Sequence, residues 1–205
     1  QINPHFLYNT LETIRMKARV NHQPEIEDLV KMLAKIMRRN IQVSHKLVSL
    51  QSEIELIDNY MKIQGYRFGD RIHSEIMVDD DVDMTQEVMP LIIQPFVENA
   101  FIHGLENKPK DGRLEVKVSQ DEKGIIIEVI DNGVGMNYYQ LGELRHSLTQ
   151  TDGSGGHIGI SNVNQRLIMQ YGKEYAVKVD SRLNEGTVVT IRIPKNTSVP
   201  IDSNQ

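Results

Sequence analysis

The apolar positions of the first part of the chain recur at helical intervals. Leu7, Leu11, Ile14 and Ala18 fall on one face of a helix that starts near Pro4. Leu29, Met32, Leu33, Ile36, Met37 and Ile41 form a clearer amphipathic stripe. Asn21 and Pro24 separate the two stripes and predict a turn. Pro24 suits the first turn of the second helix, where a missing N–H costs nothing. A third helix is predicted after Ser49, whose hydroxyl suits an N-cap, running through Ile54, Ile57, Met61 and Ile63. Gly69-Asp70 is the turn signal that closes this region.

From Arg71 the period changes. Residues 72–78 read as a strand, 114–118 alternate strictly, and 125–130 form a continuous buried-strand run. Further strands are predicted at 177–179 and 188–193, with helices over 91–103 and 160–171. Residues 137–152 show no clean period and are rich in Gln, Thr, Ser and Gly, which predicts a long loop. The polar tail after Pro194 predicts a frayed end. The expected fold class is α+β: a helical segment over 1–69, then over 70–194 an α/β sandwich with helices on one face of a mixed sheet, then a tail over 195–205.

Composition narrows the function. A chain of 205 residues can hold one ordinary domain, or one domain plus a small helical appendage. The net charge of -5 argues against a nucleic-acid partner. The absence of cysteine excludes disulfides and thiolate metal sites. No run approaches the ~18 apolar residues of a membrane span. Gln1 is neither a start methionine nor part of a signal peptide, so the chain reads as a piece of a longer protein.

Three segments carry candidate chemistry. Residues 94–104 (Gln-Pro-Phe-Val-Glu-Asn-Ala-Phe-Ile-His-Gly) place Asn99 and His103 four apart on one helical face, beside an apolar face with Phe96 and Ala100. The Asn99 carbonyl oxygen suits Mg²⁺, a hard ion that takes few protein oxygens and keeps phosphates and waters. Asp131-Asn132-Gly133-Val134-Gly135 follows a strand, so Asp131 stands at a strand end, able to accept from an exocyclic amine such as adenine N6. Gly133 and Gly135 allow the backbone to approach a ring. Gly153, Gly155, Gly156 and Gly159 lead into the helix predicted at 160, where free amides favour phosphate. No Gly-Lys-Ser/Thr exists, so a P-loop is excluded.

Together these segments resemble the N, G1 and G2 boxes of the GHKL ATPase fold, and Gly186-Thr187 resembles its Gly-Thr element. The N-terminal run Gln1-Ile2-Asn3-Pro4-His5-Phe6-Leu7-Tyr8-Asn9-Thr10-Leu11 resembles the phosphoacceptor box of LytS/YesM-type sensor histidine kinases. Ser49-Leu50, Tyr60, Ile63-Gln64 and Arg67-Phe68-Gly69-Asp70-Arg71 are similar to that family as well. The resemblance implies ATP and Mg²⁺ as cofactors and His5 as the histidine that is phosphorylated, with the phosphoryl group passed to an aspartate of a response regulator. It implies an adenine contact at Asp131, a water-mediated one at Thr187, a Mg²⁺ contact at Asn99, and a flexible lid over 137–152. It also implies a homodimeric helical bundle and a cytoplasmic placement, with membrane segments upstream.

Two positions depart from common histidine-kinase patterns. Phe6 stands where many kinases carry an acidic residue after the phosphohistidine, and Ile102 stands where many N boxes carry lysine. The proton acceptor is therefore open. Glu98 is the candidate, either polarising His5 or positioning water. The competing readings are a GHKL-type ATP hydrolase, in which Glu98 activates water, and an ATP-binding module without turnover.

Overall fold

The structure is a computed structural model and describes residues 3–41, 46–149 and 158–195. Helix α1 (Pro4–Val20) starts as its sequence dictates: Pro4 sits in the first turn and the Asn3 side chain caps it by accepting from the His5 N–H at 3.0 Å. Helix α2 (Pro24–Ile41) packs antiparallel to α1 after the turn at Asn21 and His22. Helix α3 (Leu50–Phe68) follows strand β1 (Val48–Ser49), with the Ser49 hydroxyl accepting from the Ser52 N–H at 3.2 Å and Gly69 at its C-cap. These starts and stops agree with the hydrophobic pattern.

Five strands form the main sheet: β2 (Ile72–Val78), β4 (Gly112–Asp121), β5 (Gly124–Asp131), β6 (Lys178–Arg182) and β7 (Gly186–Pro194). Their order is β2-β4-β5-β7-β6, with β2 parallel to β4 and every other pair antiparallel. Alternation decides the faces. Leu114, Val116, Val118, Ile125, Ile127 and Val129 are buried, while Glu115, Lys117 and Glu128 take the opposite face. Helix α4 (Gln94–Asn99), its continuation as a π-helical turn over Ala100–Leu105, helix α6 (Ile158–Tyr171) and α3 share one core with the buried face. Each fully buried Ile or Leu contributes about 1.5–3 kcal/mol, so this core dominates the stability. By contrast α1 buries only Leu11 and Ala18, and α2 only Ile36.

The structure corrects the sequence reading in two places. Helix α4 starts at Gln94 rather than at residue 91, because Leu91 adopts φ 58° and leaves the helical region. Pro95 falls in the first turn, where its missing N–H is harmless. The span 137–152, expected as a loop and lid, contains helix α5 (Tyr138–Thr149). Its start is a reciprocal cap: Asn137 Oδ1 accepts from the Gln140 N–H, and Gln140 Oε1 from the Asn137 N–H, both at 2.9 Å. Leu144 and Leu148 are its buried side chains. A short ladder between β1 and β3 (Glu87–Val88), pairing Val48 with Val88, was not foreseen. Residues 150–152 of the expected lid, and residues 196–205 of the tail expected to fray after Pro194, lie outside the described residues.

Candidate functional site

Strand β5 delivers Asp131 to its C-terminal end, opposite Thr187 of β7. The carboxylate is buried and accepts from the Gly133 N–H at 2.8 Å. Burial pushes its pKa up to about 6, against the amides of Gly133 and Thr187 and the Lys108 ammonium, which hold it down. The Thr187 hydroxyl is 3.0 Å from Ser181 Oγ, which accepts from the Met136 N–H at 2.8 Å.

The glycines of the following turn answer to close packing. A Cβ on Gly133 would come within 2.3 Å of the Gly104 carbonyl oxygen. Gly135 has φ 60°, and a Cβ there would stand 1.9 Å from the Arg182 carbonyl oxygen. The Val134 N–H donates to the Gly104 carbonyl at 3.0 Å, which fastens this turn to the π-helical turn. Such widened turns release backbone groups from the regular ladder and are frequent at functional sites. The Lys108 ammonium bonds the Asn132 carbonyl, and the Asn132 side chain accepts from the Arg113 N–H at 2.7 Å.

These elements enclose a cavity of about 440 Å³. Asn99, His103 and Gly104 form one wall; Asp131, Val134, Gly135 and Met136 another. Thr187, Val179 and Val189 line it from β6 and β7, and Gln140, Glu143 and Leu144 from α5. An apolar cavity of this size with a few convergent polar groups suits a small ligand with a planar ring. Ile160 adds an apolar wall from α6. Gly159 lies exposed in the first turn of that helix; Gly153, Gly155 and Gly156 lie outside the described residues.

Of the remaining candidates, Glu98 and His5 lie outside the cavity lining. His103 is exposed and reaches the cavity, whereas Glu98 is not among its lining residues. Glu98 accepts from Gln94 Nε2 at 2.6 Å. The Tyr60 hydroxyl is pushed up to about 12, by burial first and by the Glu98 charge second. His5 is exposed on α1, with Asn9 Nδ2 at 3.3 Å from its Nδ1, and does not line the cavity. Ser181, Gln94, Lys108 and Glu53 were missed as parts of this frame. Glu53 did carry a signal: it shares one face of α3 with Leu50, Ile57 and Met61, a carboxylate within an apolar stripe.

A sheet-lined cavity closed by the Asp131 turn, the Asn99 helix and helix α5 defines the fold as that of a GHKL-type ATPase domain. The model for histidine kinase-, DNA gyrase B-, and HSP90-like ATPases matches residues 84–197, and the histidine kinase model matches residues 1–72. The chain belongs to the histidine kinase-, DNA gyrase B- and HSP90-like ATPase family, within it to the LytS/YesM-type sensor histidine kinases. It is 34% identical over 199 residues to the sensor histidine kinase YesM of Bacillus subtilis, covering 97% of this chain and 33% of YesM. It is 34% identical over 196 residues to the sensor protein LytS of Oceanobacillus iheyensis, covering 95% of this chain and 33% of LytS. The chain thus spans about a third of the length of these curated relatives. Among solved structures, the histidine kinase domain of a blue-light activated histidine kinase of Erythrobacter litoralis aligns over 93% of both chains at 15% identity and a TM-score of 0.52. The catalytic domain of histidine kinase ThkA aligns over 74% of this chain and 97% of its own at 15% identity and a TM-score of 0.51. At such identities these two share the fold.

Proposed function

We propose that this chain is the phosphoacceptor and ATP-binding part of a sensor histidine kinase. It phosphorylates His5 with ATP and passes the phosphoryl group to an aspartate of a response regulator. Residues 1–69 serve as the phosphoacceptor and dimerisation region and residues 70–194 as the catalytic domain. The observation that carries this reading is the cavity in which a buried carboxylate, Asp131, stands beside Thr187 and across from Asn99. A carboxylate in such a place recognises an exocyclic amine, and the apolar walls suit a purine ring.

Mg²⁺ fits the donor set. Asn99 lines the cavity, and its amide oxygen would give the ion a single protein ligand. That matches an ion held largely by substrate phosphates and waters. When bound, Mg²⁺ neutralises phosphate charge. The chain's own residues do the rest. Asp131 and Thr187 orient the adenine, the α6 N-terminus with Gly159 faces the phosphates, and Leu144 shields the ring from water. A nitrogen lone pair of neutral His5 attacks the γ-phosphorus, an N–P bond forms, the bond from that phosphorus to its bridging oxygen breaks, and ADP leaves. The imidazole proton passes to a base, for which Glu98 is the nearest carboxylate to Asn99 along α4.

His5 stands on the α1–α2 hairpin away from the cavity. Transfer therefore takes place after the hairpin moves, or from the His5 of a second copy. The longer protein would carry its membrane segments and sensory part upstream. Incubation with γ-labelled ATP and Mg²⁺ tests the reading. Acid-labile label on the chain, absent from His5→Gln, supports it. Steady phosphate release unaffected by His5→Gln selects an ATP hydrolase instead.

A further inference from the structure

We propose that Glu53 of α3 and Arg39 of α2 form a positioning pair that sets the start of helix α4, tying the geometry around Asn99 to the placement of α2. Glu53 is a fully buried carboxylate on an otherwise apolar helix face. Its Oε1 accepts from the Leu91 N–H at 2.9 Å and its Oε2 from the Ile92 N–H at 3.0 Å. It thereby holds, from a different helix, two amides of the segment that leads into α4. Leu91 is held in the left-handed region at φ 58°, a conformation that persists only where its surroundings enforce it.

Burial pushes the Glu53 carboxyl up, the Leu91 and Ile92 amides hold it down, and Arg39 adds a nearby positive charge, with Nη2 4.0 Å from Glu53 Oε1. The same Nη2 donates to Ser52 Oγ at 3.0 Å, so the head group rests on the first turn of α3. Arg39 Nε is buried without a hydrogen-bond partner. The guanidinium, carried by α2, thus meets α3 only through its Nη2, at Ser52 and Glu53. Arg39 stands in the last turn of α2, the arm of the hairpin that packs against α1, the helix that carries His5. Asn99 stands at the other end of α4, so the start of this short helix fixes where its side chain enters the cavity. The consequence for ATP rests on the proposed nucleotide reading; the positioning itself does not.

Hydrogen exchange on the nucleotide-free chain, with ATP affinity measured alongside, tests the pair. Arg39→Met lies at the rim of the core and keeps its volume. It is expected to speed exchange over residues 91–105 about fivefold or more, leave residues 125–130 unchanged, and weaken ATP binding by a similar factor. Arg39→Lys should restore both. In a Glu53→Gln background, Arg39→Met should add nothing further. A merely structural role would raise exchange in the sheet as well. Unchanged exchange over 91–105 in Arg39→Met, or independent addition of the two substitutions, overturns the pairing. Failure of the unsubstituted chain to bind ATP would instead remove the nucleotide reading, and the exchange arm would still judge the pair.

Discussion

Burial pushes the Asp131 carboxyl up to about 6 from 3.8, which gives one residue two opposite pH dependences. Its folded pKa lies above its unfolded value. Its contribution to folding is therefore complete below pH 3.8 and is lost as pH rises through about 6. Adenine recognition needs the ionised acceptor, so ATP affinity should hold above pH 7 and fall as pH drops through about 6. Titration calorimetry across this range should show that fall, and Asp131→Asn should abolish it. At pH 7.5 the same substitution should weaken ATP binding by about 1–3 kcal/mol, the cost of a disturbed buried hydrogen bond to a charged group. An unchanged affinity would remove Asp131 from the site.

At the scale of elements, two segments decide the shape of the cavity. Gly135 sits at φ 60° with no room for a Cβ beside Arg182. Gly135→Ala should lower stability by about 2–4 kcal/mol in denaturant unfolding, since the loop must shift away from β6. Leu144 is buried and lines the cavity from α5. Leu144→Ala should cost about 2–5 kcal/mol of stability and weaken ATP binding in the same protein; intact binding would mean that α5 takes no part in covering the ligand.

The elements also differ in how legible they were. The strands were readable because one face of the sheet is dry, so 114–118 alternates and 125–130 is apolar but for Glu128 on the opposite face. Helix α3 was readable from Ser49 and its period. Helix α5 was not, because Gly142 and its many polar residues mask Leu141, Leu144 and Leu148, although these are spaced for a helix and Asn137 and Gln140 announce its cap. The ladder of β1 and β3 is two residues long, too short for any period. Of the site, Asn99, His103, Asp131 and Thr187 do meet in one cavity, since each sits in a local motif. Ser181, Lys108 and Glu53 escaped because their roles come from partners distant in sequence.

At the scale of the whole molecule, the helical hairpin is underburied. Ile26, Leu33 and Ile41 of α2 lie exposed at spacings of seven and eight, one stripe along the helix. Phe6 and Val20 of α1 are exposed as well. The proposed homodimer would bury these residues in a bundle. Leu33→Glu should then convert a dimer to a monomer in sedimentation equilibrium; a parent chain that is monomeric at high concentration would exclude pairing by this face alone. Phosphoryl transfer would join that hairpin to the cavity, since His5 is on one and Asp131 in the other. Phosphorus NMR of the chain after incubation with ATP and Mg²⁺ tests it most directly. A phosphoramidate signal is expected, lost in His5→Gln and reduced in Asp131→Asn. A signal that survives His5→Gln, or inorganic phosphate alone from the unsubstituted chain, would contradict it.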